Sequence, residues 1–83
     1  MAMYQNNSLI LHVKRPEFDG VLTPGTIVEH SGIYRCQGCT REIAANKGDP
    51  LPPQSHHQHQ PSQGYIRWQL VVSCETEPRQ PNV

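Results

Sequence analysis

The chain has 83 residues, of which 35% are hydrophobic, and its seven basic residues balance seven acidic ones. This length allows one domain, and a hydrophobic content below the ~45–50% typical of globular domains predicts a thin core. The balanced charge gives no reason to expect nucleic acid or anionic lipid as a partner, and no run approaches the roughly 20 apolar residues needed to span a membrane. Domains this small commonly need disulfides, a metal or a partner chain for stability.

The three cysteines indicate thiols rather than a disulfide framework. Their number is odd, and the first seven residues show neither the basic nor the apolar segment of a secretory signal. We therefore expect a cytoplasmic protein, in which thiols stay reduced and a Cys-x-x-Cys motif is more often metal-binding or catalytic.

The first predicted element is a strand over 8–14, after a flexible N-terminus at 1–7. Leu9, Leu11 and Val13 share one face, so we expect Leu9–Val13 to add a strand to the sheet. Arg15-Pro16 ends this strand, because proline lacks the amide that a strand partner needs.

The middle of the chain predicts a hairpin. Phe18 and Leu22 are expected to cover one end of the core, and 26–29 is predicted as a short strand. Ile33–Cys36 is the next strand, and 41–45 returns antiparallel to it, so that the tip of the hairpin carries two thiols.

A proline- and histidine-rich loop at 48–64 precedes the clearest strand, at 65–72. Ile66, Trp68, Leu70 and Val72 alternate with polar residues, and Trp68 is expected to be the largest core residue. We assign 8–74 to a single domain and 75–83 to a disordered tail.

Cys36 and Cys39 form a Cys-x2-Cys knuckle that can direct two thiolates at one ion. Because a structural zinc site has four tetrahedral ligands, a second pair must come from elsewhere in the chain. His56 and His59 repeat the x2 spacing and are the preferred pair. His57 is the alternative, and it pairs with His59 if the loop is extended.

The cysteines and histidines also allow alternatives to this ligand set. The Cys-x-x-Cys motif is found in redox proteins as well, although the expected βαβ context is not visible. His30 is an alternative ligand to a loop histidine. Cys74 is predicted to be a spare thiol, because the final strand carries it away from the loop. Thiolate ligands favour zinc over calcium or magnesium.

Three motifs resemble a family of short, uncharacterised bacterial proteins, some of which carry the label "protein L". The motifs are SGIYRCQGC at 31–39, KGDPLPP at 47–53 and IRWQL at 66–70. More broadly, the arrangement is similar to zinc ribbons. The resemblance implies a zinc role for the two knuckle cysteines and two loop histidines, but no activity. Thr40 departs from the glycine that commonly follows the second cysteine in such knuckles.

We therefore predict an all-β fold, a zinc-ribbon-like antiparallel sheet of three to five short strands with Ile33–Cys36 paired to the final strand. The function expected is a non-catalytic protein-interaction or accessory module with structural zinc, and not an enzyme. The predicted partner is a protein that contacts Leu51, Pro52 and Pro53, and the chain is a monomer or a weak homodimer through a strand edge. No membrane association is expected.

The alternative function is a nucleic-acid-binding zinc ribbon. It requires Arg35, Arg41 and Arg67 to gather on one face of the sheet, although the basic residues are scattered among acidic ones along the chain. A redox or metal-sensing role for the knuckle is the remaining alternative.

Overall fold

The computed structural model describes residues 1–74 and contains a three-stranded antiparallel sheet. The strands are β1 (Gly32–Cys36), β2 (Glu42–Ala45) and β3 (Trp68–Ser73), in the order β2-β1-β3. This confirms the predicted all-β class. The remaining regular elements within 1–74 are short 3-10 turns, at Asn7–Leu9, Pro16–Phe18, Gln54–His56 and Pro61–Gln63. None of the helical turns described in this range is long and apolar enough to cross a bilayer.

The central strand β1 determines which residues meet at each end of the sheet. It pairs with β2 in the predicted hairpin and with β3 in the predicted long-range pairing. Cys36 lies opposite Trp68, whereas Gly32, at the other end of β1, lies opposite Ser73. The knuckle and the start of β3 therefore share one end of the sheet.

The core lies at the centre of this arrangement, and Trp68 is its largest residue, as predicted, with a fully buried side chain. Phe18 and Leu22 pack against the core, also as predicted. The other buried hydrophobic residues within 1–74 are Val28, Tyr34, Cys36, Leu51, Ile66 and Leu70.

The predicted N-terminal strand at Leu9–Val13 is wrong. Asn7–Leu9 form a 3-10 turn, and the Asn6 side chain accepts a hydrogen bond from the Ser8 amide at 3.0 Å. Such local capping competes with extended strand pairing. Leu9 and Leu11 are exposed, so the alternating apolar pattern here does not face the core.

The predicted strand at 26–29 is reduced to one isolated bridge between Ile27 and Pro50. The same contact corrects the interpretation of Leu51. Its amide donates to the Thr26 carbonyl at 2.8 Å, and its side chain is only 2% exposed. Leu51 is a core residue and is not presented to a partner.

The last strand starts at Trp68, three residues later than predicted, and ends at Ser73. The reason lies at Ile66, whose amide and carbonyl both bond to the side chain of Gln54, each at 3.0 Å. The Gln54 side-chain amide therefore bonds the two backbone groups of Ile66 that a neighbouring strand would otherwise bond. The predicted tail at 75–83 lies outside the described residues, so disorder there stays a prediction, as does flexibility of 1–7.

Candidate metal site

The knuckle is a tight turn joined to both neighbours of β1. Cys36 is the last residue of β1, and its amide donates to the Arg41 carbonyl at 2.7 Å. The Thr40 amide donates to the Cys36 carbonyl at 2.9 Å, which closes the turn, and the Gln37 amide donates to the Arg67 carbonyl at 2.8 Å. The two thiols are therefore held by backbone bonds to the residues that precede β2 and β3.

Thr40 takes over the conformation that glycine commonly provides in such knuckles. Its φ is 65°, in the left-handed region, and it is the only non-glycine residue with a positive φ within 1–74. This conformation is unfavourable for a β-branched residue. Gly38 does not have a positive φ, so it does not compensate for the threonine.

The histidine loop approaches the knuckle in an extended conformation. A 3-10 turn at Gln54–His56 ends at His57, which has φ −154° and ψ 165°. Side chains of residues two apart in an extended chain point to the same side. His57 and His59 accordingly face the knuckle together.

Four side chains converge at this end of the sheet: Cys36, Cys39, His57 and His59. Their potential ligand atoms all lie within 4.8 Å of one another. Cys36 Sγ is 3.4 Å from His59 Nε2, and Cys39 Sγ is 3.1 Å from His57 Nε2. The two Nε2 atoms are 3.0 Å apart. Two thiols and two imidazole nitrogens thus face one common point.

His56, the preferred partner of His59 in the sequence analysis, lies outside this group, and its place is taken by the alternative, His57. The cause is the loop conformation, because the x2 spacing suits a turn whereas the chain here is extended. The His56 side chain is exposed, with Nδ1 2.8 Å from His57 Nδ1. Its ring also stands edge-on to Trp68, with centroids 5.9 Å apart.

The two remaining ligand candidates, Cys74 and His30, lie elsewhere. Cys74 is an exposed free cysteine next to the end of β3 that pairs with Gly32, away from the knuckle. His30 is not part of the group either, and its carbonyl accepts a hydrogen bond from the Tyr34 hydroxyl at 2.6 Å.

The surroundings of His59 determine which of its nitrogens is free. His59 Nδ1 lies 2.7 Å from the Gly64 carbonyl. A carbonyl only accepts hydrogen bonds, so Nδ1 carries the proton and Nε2 of the neutral ring presents its lone pair. That lone pair is on the nitrogen that faces the thiols.

The environment also favours the ligating forms of Cys36 and His57. Burial alone raises the pKa of the Cys36 thiol, but hydrogen bonds from the backbone of Arg67, Gly38 and Cys39, with one from the Cys39 side chain, outweigh it. The net effect lowers the pKa of Cys36 from 9.0 to about 7. Burial, together with the neighbouring histidines and Arg41, lowers the pKa of His57. Thiolate and neutral imidazole are the forms that bind metals.

Gln54 contributes to the site in a way that the sequence does not reveal. By bonding both backbone groups of Ile66, it ties the start of the histidine loop to the approach of β3. A glutamine two residues before a histidine cluster has no distinctive pattern. Only the proximity of 54 and 66 in the folded chain identifies this role.

The comparison with curated proteins finds similarity to "Protein L" of Escherichia coli, with 56% identity over 54 residues. The aligned part is 65% of this chain and 61% of that protein, so the chain spans about three fifths of the length of its relative. This match confirms the resemblance predicted from the motifs. No family model matches the chain, and no solved structure matches it.

Proposed function

We propose that this chain is a small zinc protein in which Cys36, Cys39, His57 and His59 hold one structural ion. The observation that carries the proposal is the convergence of their four ligand atoms within 4.8 Å. These residues come from the knuckle and from the loop, two parts of the chain about twenty positions apart. An ion there links both parts.

The spacing of the ligand atoms fits a tetrahedral zinc ion. Zn–S bonds of about 2.3 Å and Zn–N bonds of about 2.0–2.1 Å give ligand-to-ligand separations of roughly 3.3–3.8 Å in a tetrahedron. Three of the separations in the cluster are 3.4, 3.1 and 3.0 Å. All four ligand atoms lie within 4.8 Å of one another, so small shifts of the side chains are sufficient to reach the zinc geometry.

The chemistry of the ligands also favours zinc. Thiolate and imidazole suit this borderline-soft cation, whereas calcium and magnesium prefer oxygen ligands. Two thiolates balance the charge of a divalent ion, which matters because Cys36 is fully buried.

We propose a structural and not a catalytic role for this ion. Four protein ligands complete the tetrahedron, whereas catalytic zinc sites keep one position open for water or substrate. The size of the core supports the same conclusion. The described chain has seven buried hydrophobic residues, and the ligand Cys36 is one of them. A core this small gains stability from a metal that ties the loop to the sheet.

The biological role proposed is a protein-interaction or accessory module. Large apolar side chains at the N-terminal end of the chain support contact with a protein, since Met3 is 94% exposed and Leu9 is 81% exposed. Cytoplasmic location and self-association through a strand edge stay predictions. Nucleic-acid binding also stays a prediction. The Arg67 guanidinium, one of the three that it requires, donates to the Tyr65 carbonyl at 2.8 Å.

Native mass spectrometry after expression with zinc tests the metal proposal. We expect one zinc per chain in the parent and in His12→Ala, a control at an exposed histidine outside the cluster. His57→Ala should lose most of the zinc. A parent that carries no zinc, and whose well-dispersed NMR spectrum is unchanged by a chelator, would overturn the structural-zinc proposal.

A further inference from the structure

We infer that His56 is the hydrogen-bond acceptor that positions His57 for metal binding. This inference rests on the proposed function and adds a residue outside the four ligands. The observation that supports it is the 2.8 Å separation between His56 Nδ1 and His57 Nδ1.

The position of the proton follows from the chemistry of imidazole. His57 Nε2 faces Cys39 Sγ at 3.1 Å and His59 Nε2 at 3.0 Å, so Nε2 is the nitrogen available to the ion. A neutral imidazole carries one proton, and the ligating nitrogen must be bare. Nδ1 of His57 therefore carries the proton and donates it toward His56. Two nitrogens 2.8 Å apart share one proton, so His56 Nδ1 accepts and its own proton is on Nε2.

The other histidine ligand has the same kind of support. His59 Nδ1 donates to the Gly64 carbonyl at 2.7 Å. Each metal-facing histidine thus has an acceptor behind it, a backbone carbonyl for His59 and the side chain of His56 for His57. Such outer partners fix the tautomer and orientation of the ligand and raise its basicity.

Packing holds the acceptor in place although the His56 side chain is exposed. The His56 ring is edge-on to Trp68 at 5.9 Å and to His57 at 5.0 Å between centroids. Its amide donates to the Pro53 carbonyl at 2.9 Å in the 3-10 turn. The ring is therefore held by both the loop backbone and the core tryptophan.

Two substitutions at His56 distinguish the effect of the acceptor nitrogen from the effect of ring packing. His56→Phe keeps a flat ring against Trp68 but removes the acceptor nitrogen. His56→Asn removes the ring but places an amide oxygen near the position of Nδ1. Co²⁺, which absorbs visible light in a tetrahedral site, reports affinity by competition with a chromophoric chelator.

We expect His56→Phe to weaken Co²⁺ affinity about 10–100-fold, the usual effect of losing an outer-shell partner. His56→Asn should stay within a few-fold of the parent. In the zinc-loaded parent, long-range ¹H–¹⁵N NMR should show His57 protonated at Nδ1, with slow exchange of that proton. In zinc-loaded His56→Phe, which keeps the ring packing, the exchange should become faster because the acceptor of that proton is lost.

Parental affinity in His56→Phe would overturn the inference, and so would an equal loss in His56→Phe and His56→Asn. A parent that gives no tetrahedral Co²⁺ spectrum would instead remove the proposed metal site itself. The two failures are therefore distinguishable.

Discussion

The ring of His59 lies directly against the backbone of Gly38. A β-carbon built on Gly38 would come within 2.6 Å of His59 Cε1 and 2.7 Å of the Gln63 carbonyl oxygen. Side chains essentially never approach this closely, so glycine is required here for contact between the knuckle and the loop. Backbone freedom is not the reason, because Gly38 does not have a positive φ.

Gly38→Ala should therefore weaken metal binding. The added methyl group pushes the loop backbone at Gln63 away together with His59, and overpacking of this kind costs about 1–3 kcal/mol. Competition titration with Co²⁺ measures the loss. The matched control is Gly20→Ala, since nothing lies within 4 Å of a β-carbon at Gly20. Equal affinity in the two variants would contradict the close contact.

Thr40→Gly should stabilise the zinc-loaded protein. The left-handed conformation of Thr40 costs a non-glycine residue roughly 1–2 kcal/mol, whereas glycine adopts it freely at an entropic cost of roughly 0.5–1 kcal/mol. We expect a net gain of up to about 1.5 kcal/mol, seen as a higher melting temperature. The same substitution at exposed Thr23, which does not have a positive φ, should lower it. A lower melting temperature for Thr40→Gly would show that the strain argument is wrong.

Trp68→Ala should destabilise the fold by about 3–5 kcal/mol, because it removes the largest fully buried side chain. It also removes the surface against which the His56 and His57 rings pack. Chemical denaturation measures the free energy of unfolding. Tyr65→Ala is the control, since this aromatic side chain is 63% exposed and its loss should have a small effect. Parental stability in Trp68→Ala would contradict the core assignment.

Acidification should release the metal. The folded-state pKa of Cys36 is about 7, below the ordinary value of 9.0, so the stabilisation from this shift is complete above pH 9 and is lost as the pH falls through about 7. Protons then compete with the metal for the thiolate. The visible absorbance of the Co²⁺-loaded protein should decline below about pH 7.

Cys74→Ala should give the same pH curve as the parent, because Cys74 is not part of the cluster. A different midpoint in this variant would implicate the third thiol in metal binding. A signal that acidification does not reduce would contradict a thiolate-based site, since protons compete with the metal for each thiolate.

Local patterns were sufficient to predict the sheet where they coincide with strong long-range packing. The alternating segment around Trp68 and the apolar segment before the knuckle both form strands, and these strands pair with each other. The same kind of alternation at Leu9 and Leu11 does not form a strand, and both side chains are exposed. A pattern identifies a face that is suited to burial, but it does not guarantee a surface to bury it against.

The composition of the candidate site is evident from the residues alone: a two-cysteine knuckle and a short histidine cluster separated by a proline-rich loop. These residue types and spacings specify which atoms can bind a metal, since thiol and imidazole chemistry is carried by each side chain wherever it lies. Which histidines face the thiols depends on how the loop folds onto the sheet. The loop reaches the knuckle in an extended conformation after the Gln54–His56 turn, so the alternation of an extended chain directs His57 and His59 to one side. That conformation depends on contacts between distant positions, including the bonds from Gln54 to Ile66 and the packing of His59 on Gly38.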